Sequence, residues 1–166
     1  MMFSTRSEYG VRVMIQLGRH HGDGPVSLAG IAESEQLPLA YLEQLVARLR
    51  KAELVSSTRG ARGGYELARP PEAITMAEVV QALEGSIAPM ECLTDPVTHK
   101  VLCNHLLDAD ESCATKLLWT RVQGGISRAL EQTTLAELVE FAEHGVKASR
   151  PRTRKHAETR PAAVQV

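Results

Sequence analysis

Residues 27–67, SLAGIAESEQLPLAYLEQLVARLRKAELVSSTRGARGGYEL, contain two short helical patterns followed by two strand-like runs around a glycine-rich turn. Ser27 opens the first helical pattern, in which Leu28, Ile31 and Ala32 face inward. Leu37-Pro38 interrupts the helical pattern, and Pro38 suits the first turn of the next helix. That second helix, over 38–51, carries apolar residues at i, i+3, i+4 and i+7, namely Leu42, Leu45, Val46 and Leu49. Two short helices with a tight join predict a helix-turn-helix.

The two strand-like runs that follow predict a wing. Residues 54–58 have strand character, and residues 65–68 can pair with them as a β-hairpin. The hairpin tip, 59–64, is rich in glycine and carries two arginines, Arg59 and Arg62. A hairpin with a basic tip directly after a recognition helix is typical of a winged helix that binds duplex DNA.

The predicted DNA contacts lie on the second helix and the wing. The start of a recognition helix reaches base edges, so Glu43 is predicted to accept from cytosine N4 and Gln44 to pair with adenine N6 and N7. Compensation of the helix dipole explains Glu43 equally well. The basic residues are predicted to contact phosphates or, in the wing, a narrow minor groove; the alternative is ordinary solvated charge. The full set of predicted contacts is Ser27, Tyr41, Glu43, Gln44, Arg48, Lys51, Arg59 and Arg62.

Further helices flank this unit. A helix over about 5–21 is predicted to begin with a capping box between Thr5 and Glu8. Similar boxes, Thr75 with Glu78 and Thr134 with Glu137, predict helices over about 76–84 and from about 135 to near Gly145. Between them, a long helix from Cys113 to about Gln132 carries an apolar stripe that predicts a partner helix from a second subunit. The stripe comprises Leu117, Leu118, Val122, Ile126, Ala129 and Leu130.

Composition is that of an ordinary globular chain. The 166 residues are 43% hydrophobic and 23% charged, which suits one domain or one small domain with an appended arm. The sequence lacks an apolar run of membrane-spanning length and the apolar core of a signal peptide, so we expect a cytoplasmic protein with no membrane partner. The net charge of −1 divides into about +2 for 1–69, −8 for 70–146 and +5 for 147–166.

These patterns predict a mainly α fold with a small β-hairpin wing and a long dimerisation helix. The expected parts are a winged helix-turn-helix domain at 1–85, a cysteine-bearing loop at 86–112, a dimerisation helix and C-terminal helix at 113–146, and a disordered basic tail at 147–166. No catalytic motif is present, which disfavours an enzyme. The other alternative is an interaction module that binds no DNA.

Residues 3–146 resemble the IscR/NsrR-type family of winged-helix transcriptional regulators. The matching stretches are SEYGVR at 7–12, LPLAYLEQL at 37–45, LVSSTRG at 54–60, GGY at 63–65 and TLAEL at 134–138. The resemblance implies a homodimer with crossed long helices that binds a palindromic double-stranded DNA operator. In many members it also implies an iron–sulfur cluster held by three cysteines.

The chain has three cysteines in the place where that family holds its cluster, Cys92, Cys103 and Cys113. Thiolate sulfur suits iron, so the resemblance implies a [2Fe–2S] or [4Fe–4S] cluster that senses redox state, nitric oxide or iron–sulfur status. The spacing, C-x10-C-x9-C, is longer than in the best-known members, and Lys116 stands where some relatives have a histidine ligand. Glu8 matches the acidic ligand that relatives of the nitric-oxide-sensing branch supply from the partner subunit.

Other roles for the cysteines stay open. His99 and His105 are alternative fourth ligands, although histidines in a polar stretch are more often solvent-facing. The same residues can bind zinc, which accepts mixed sulfur and nitrogen ligands, but the short cysteine pairs that structural zinc sites favour are absent. A metal-free thiol switch that oxidises to a disulfide is a third possibility, and cysteines without a role are the fourth.

Overall fold

The computed structural model describes residues 4–60, 62–86 and 114–145, which form six α-helices and one two-stranded antiparallel hairpin. The mainly α fold class with a small wing is thereby confirmed. The elements are α1 (Thr5–Arg19), α2 (Leu28–Glu35), α3 (Leu39–Lys51), β1 (Val55–Thr58), β2 (Gly64–Leu67), a 3₁₀ turn (Pro71–Ala73), α4 (Met76–Glu84), α5 (Ala114–Gln132) and α6 (Leu135–His144).

Helix α1 is central to the hydrophobic core. It contacts α2, α3, α4, α6 and β2, and it buries Val13, Met14 and Leu17 completely or nearly so. The predicted inward residues of α2 and the predicted apolar stripe of α3 are all buried in the same core. Because the buried positions follow the helical period, their burial orients the remaining face of α3 outward.

The helix ends confirm two of the three predicted capping boxes. In both α4 and α6 the N-cap threonine accepts from the backbone of the glutamate three residues on, and that glutamate accepts from the threonine N–H. At α1 the prediction is wrong: Ser4, not Thr5, is the N-cap, and its Oγ accepts from the Arg6 N–H. Thr5 is already helical, so its side chain cannot cap the helix and Glu8 takes no part in a box.

Other boundaries differ slightly from the predicted ones. Helix α1 ends at Arg19 rather than near residue 21, and Pro38 is the N-cap of α3 rather than a member of its first turn. Residue 38 has extended backbone, with φ −65° and ψ 119°, which a proline ring allows at a cap as readily as at the first helical position.

Helix α6 packs on the winged-helix core. Leu135 is fully buried against Gly18 of α1, and its N–H donates to the Ile74 carbonyl at 2.9 Å. The Met76 N–H donates to the Thr133 carbonyl at 2.9 Å, which ties the start of α4 to the start of α6. The described part of the C-terminal region and the N-terminal region therefore share one core, and the predicted domain bounds stay a prediction.

Helix α5 presents an apolar surface to solvent. Leu117 and Leu118 are each 56% exposed and Val122 is 37% exposed, whereas Leu130 packs against the core. The N-terminal half of the predicted stripe is therefore uncovered in a single chain, which is the arrangement that a partner helix requires. Apart from Ser86, the predicted cysteine-bearing loop lies outside the described residues, as does the basic tail.

Candidate nucleic-acid interface

Helix α3 directs its polar side chains outward. Glu43, Gln44, Arg48 and Lys51 are all exposed, while the four apolar stripe residues on the opposite side are almost fully buried. The negative charge lies toward the helix N-terminus and the positive charges toward its C-terminus, which is the order that the helix dipole favours. The sequence-predicted contacts on α3 thus share one exposed face, with Tyr41 as the exception.

Tyr41 is half-buried and packs partly on the core. Its ring meets that of Tyr9 edge to face, with the centroids 5.8 Å apart and the planes at 89°. Such an aromatic pair holds one side of the Tyr41 ring against α1 and leaves its accessible part beside the exposed face of α3. The structure therefore gives Tyr41 a packing role in addition to its predicted DNA contact.

The turn between α2 and α3 is held by α1. Gln36 ends α2 in the left-handed conformation, with φ 54°, and the Leu37 N–H donates to the Ala32 carbonyl at 2.9 Å. Just before this turn, Glu35 accepts from Arg12 Nε at 2.8 Å and from the side-chain amide of Gln16. These contacts hold the end of α2, and with it the turn into α3, against α1, and they were not predicted because they join residues about twenty positions apart.

The wing forms as the predicted antiparallel hairpin, with strands at 55–58 and 64–67 rather than 54–58 and 65–68. Val55 pairs with Leu67, and Thr58 pairs with Gly64. Gly60 has φ +119°, which favours glycine, and a Cβ on Gly63 would meet the carbonyl oxygen of Thr58. The two glycines therefore permit a tight turn at the hairpin tip.

The wing is also tied to the start of the helix-turn-helix. The Val26 N–H donates to the Tyr65 carbonyl and the Tyr65 N–H donates to the Val26 carbonyl, each at 2.8 Å. The backbones approach so closely that a Cβ on Gly64 would lie 2.5 Å from the Val26 carbonyl oxygen. This pairing also places Ser27, the next residue, at the exposed start of α2, where its side chain makes no capping bond and is available to a phosphate.

Among the described residues, the wing arginines have no intramolecular partner. Arg59 and Arg62 are both exposed, and within 4–60, 62–86 and 114–145 neither makes a hydrogen bond or ion pair. By contrast, Arg50 near the end of α3 donates from a guanidinium nitrogen to Ser57 Oγ of β1 at 3.2 Å. Arg50 was not predicted as a site residue, although its place seven residues after Glu43, on the same side of α3, is a sequence signal for it.

The predicted sensor residues are largely beyond the described segments. Cys92, Cys103, Cys113, His99 and His105 lie outside them, and the segments that are described contain no group of three metal-ligating side chains. Glu8 is described: it lies exposed in the first turn of α1, and in the described part of the chain its carboxylate has no hydrogen-bond or ion-pair partner. It borders an open groove of about 430 Å³ between α1, α4 and α5, with Val11, Val80 and Leu130 in its lining.

A hydrogen-bond cluster next to Glu8 joins the start of α1 to the end of α4. Glu84 Oε1 accepts from the Ser4 N–H at 3.0 Å, from Ser4 Oγ at 2.5 Å and from Ser7 Oγ at 2.7 Å. Partial burial alone would raise the pKa of Glu84, but these hydrogen bonds outweigh it and hold the pKa below its usual value. Glu84 is therefore held as a carboxylate against α1, the helix that carries Glu8.

A second carboxylate of α4 is held in the same way at the other end of that helix. Partial burial would raise the pKa of Glu78, but the Thr75 backbone N–H, Arg69 and the Thr75 hydroxyl donate to it and lower the pKa. Arg69 donates to Glu78 Oε1 at 2.7 Å. This pair secures the chain that leaves the wing against the first turn of α4.

Comparison with known proteins agrees with this geometry. A family model described as Rrf2, iron-dependent transcriptional regulator, matches residues 3–141. The HTH-type transcriptional regulator CymR of Bacillus subtilis is 41% identical over 143 residues, which cover 86% of this chain and 93% of that protein. Within the described ranges, no helix combines the length and apolarity needed to cross a membrane.

Solved structures give the same result. The structure of B. subtilis CymR, described as its global cysteine regulator, superposes with a TM-score of 0.70 and covers 85% of this chain and 98% of that one. IscR of T. potens has a TM-score of 0.67 at 39% identity, covering 86% of this chain and 88% of that one. The oxidised form of Staphylococcus aureus CymR has a TM-score of 0.65 at 38% identity, covering 84% and 97%.

Proposed function

Because the chain belongs to the Rrf2 family of transcriptional regulators, which are not enzymes, we propose that it binds a palindromic operator as a homodimer. Each subunit would insert α3 into the major groove and set its wing on the flanking backbone, with half-sites about one helical turn apart. The observation that carries the proposal is the exposed polar face of α3 beside two exposed wing arginines, Arg59 and Arg62, which have no partner within 4–60, 62–86 and 114–145.

Roles within this interface follow from position. Glu43 and Gln44 lie near the start of α3, from which a recognition helix reaches base edges, and they supply one acceptor and one bidentate amide. Arg48 and Lys51 lie one and two turns further on, where a helix leaves the groove and meets phosphates. The exposed stripe of α5 would pair with the same stripe of a second chain and so fix the spacing of the two α3 helices.

The experiment is a fluorescence titration with an operator selected from a random duplex pool. Gln44→Ala should weaken binding to the selected operator by about 1–3 kcal/mol per contact and relax base preference at one position per half-site. Lys51→Ala should weaken all duplexes about equally. If Gln44→Ala leaves base preference intact, or if no duplex is retained by the wild-type dimer, the assignment of α3 as the reading helix is wrong.

We further infer that the dimer carries an iron–sulfur cluster held by Cys92, Cys103 and Cys113. Three thiolates are a donor set that suits iron and leave one position for a weaker ligand. Glu8 fits that position because it is exposed, takes no part in capping and borders a groove with room for a segment of the partner. When bound, such a cluster would supply a redox- and nitric-oxide-sensitive group.

The chain's own residues would connect that group to DNA. Glu8 lies on α1 between Ser7 and Tyr9. Ser7 donates a hydrogen bond to Glu84, near the start of the cysteine-bearing region, and the Tyr9 ring packs on Tyr41 of α3. A change in the restraint on Glu8 would therefore act on the helix that also positions α3. Binding to the operator changes only if the two states differ in their affinity for DNA.

The test uses anaerobically purified full-length protein, with iron, sulfide and zinc analysis and electronic and Mössbauer spectra. We expect a brown protein that loses visible absorption when any of the three cysteines is changed to alanine. Glu8→Gln should alter the spectra while Glu72→Gln, a second exposed glutamate, leaves them unchanged. A protein that stays colourless after anaerobic reconstitution with iron and sulfide contradicts the cluster.

A metal-free thiol switch is the second candidate. It is favoured by the similarity to CymR of B. subtilis, a global cysteine regulator, and by the existence of an oxidised form of the S. aureus protein. In that case the apo-protein should bind the operator in a thiol-dependent way: oxidation with peroxide should change affinity, and dithiothreitol should restore it. An apo-protein whose affinity is the same in both conditions excludes this candidate.

A further inference from the structure

One large apolar side chain on the DNA-binding part of the molecule is left in solvent. Leu39 is 40% exposed, and within 4–60 and 62–86 it is the single large hydrophobic residue with such exposure. The other exposed large hydrophobic residues that the structure describes belong to α5 and α6: Leu117, Leu118, Val122 and Phe141. The partner-helix explanation that fits α5 does not extend to Leu39.

Leu39 lies at the end of α3 that the proposed function places against base edges. It is the first residue of α3, four positions before Glu43, so the two side chains share one side of the helix. Ala40, next to it, is also exposed, while the positive charges of α3 lie at the opposite end. The N-terminal end of α3 therefore combines one acidic side chain with an apolar surface, and it carries no basic side chain for a phosphate.

The major groove presents one apolar group that such a surface can recognise, the C5-methyl of thymine. We propose that Leu39 determines operator specificity by packing against a thymine methyl in each half-site, an inference that rests on the proposed function. Glu43, on the same side of α3, would then accept from a cytosine amino group and so read a neighbouring base pair. Recognition at the N-terminal end of α3 would combine one hydrogen bond with one apolar contact.

The size of the effect follows from the area involved. Removing one buried methyl from the interface corresponds to about a fourfold loss of affinity per half-site, and about fifteenfold when both half-sites are changed. Leu39 is not a core residue, in contrast to Leu42, which is 0% exposed. Leu39→Ala should therefore leave the thermal unfolding midpoint close to that of the wild type.

The experiment replaces each thymine of the selected operator by deoxyuridine, symmetrically in both half-sites. Deoxyuridine keeps the O4 acceptor and the base pair and lacks only the methyl. With the wild-type dimer we expect one position at which the replacement costs about fifteenfold, and Leu39→Ala should abolish that penalty. Leu39→Met, which keeps an apolar side chain of similar volume, should retain most of it.

The outcomes distinguish failure of the Leu39 contact from failure of the proposed function. A deoxyuridine penalty that persists unchanged in Leu39→Ala, a scan without a penalty at any position, or selected half-sites that lack thymine overturns the role of Leu39 while the proposed function stands. Failure of the wild-type protein to bind any duplex overturns the proposed function and this inference with it. A penalty present in the wild type and lost only in Leu39→Ala supports the inference, because a merely structural role would not distinguish thymine from uracil.

Discussion

Replacement of Arg59 at the wing tip tests the interface through its salt dependence. Arg59 is exposed, and in the described part of the chain it has no intramolecular partner, so Arg59→Ala removes a charge without breaking an internal contact. If each wing neutralises one phosphate through this side chain, a homodimer loses two such contacts. Each contact contributes about 0.9 to the slope of log K against log salt, so the slope should become shallower by about 1.8.

That change in slope also predicts how the loss of affinity in Arg59→Ala varies with salt. Between 50 and 200 mM salt, a slope difference of about 1.8 corresponds to about a twelvefold change, so the affinity deficit of Arg59→Ala should be about twelve times larger at the lower salt. The assay is a fluorescence anisotropy titration of labelled operator at four or more salt concentrations. Arg62→Ala should behave similarly, because Arg62 is also exposed and also has no partner among the described residues.

The matched control is Arg19→Ala. Arg19 is also an exposed arginine, but it donates to the Ala142 carbonyl of α6 at 3.0 Å and so lies away from the surface formed by α3 and the wing. Arg19→Ala removes the same charge from the chain, and we expect its slope of log K against log salt to equal that of the wild type. If Arg59→Ala and Arg19→Ala give the same slope, the wing does not contact phosphate and the reasoning is refuted.

Three further predictions concern the framework of the interface. Gly64→Ala should destabilise the wing and weaken operator binding, because the added Cβ would lie 2.5 Å from the Val26 carbonyl oxygen. Melting followed by circular dichroism measures the first effect and operator titration measures the second. An unchanged melting midpoint contradicts the close approach. Thr75→Ala should cost about 1 kcal/mol of unfolding free energy in urea, since it removes the α4 cap, while Thr75→Ser should cost less. The pKa of Glu84 is lowered in the folded state, so its contribution to stability is present above the unfolded value near 4.5 and is lost as the pH falls through the folded pKa. Glu84→Gln should therefore flatten the dependence of the unfolding free energy on pH in that acidic range. An unaltered profile would show that the Ser4 and Ser7 hydrogen bonds have no energetic effect.

The local parts of the fold could be predicted from the sequence. The apolar stripe of α3 and the two capping boxes at Thr75 and Thr134 depend on residues within one or two helical turns, and the structure has them as predicted. The cap of α1 could not be resolved in the same way. Ser4 and Thr5 are adjacent residues with equivalent hydroxyls, and the choice between them depends on the contacts of Ser4 with Glu84, eighty positions away.

The contacts that position the candidate interface are the ones the sequence did not reveal. The pairing of Val26 with Tyr65, the ring contact of Tyr9 with Tyr41 and the bond from Arg50 to Ser57 each join different elements. None follows from a helical or strand period, because each depends on how packed elements meet in three dimensions. The face of α3 was therefore predictable, whereas its orientation relative to α1 and the wing was not.

The stoichiometry and footprint of the complex with operator DNA show directly whether a dimer reads the duplex with two recognition helices. Sedimentation equilibrium of the full-length protein with a selected duplex, combined with hydroxyl-radical footprinting, measures both in one set of samples. We predict two chains per duplex and two symmetric protected half-sites with centres about 10 base pairs apart. One chain per duplex, or a single protected site, would contradict a dimer that reads DNA with two copies of α3 and the wing.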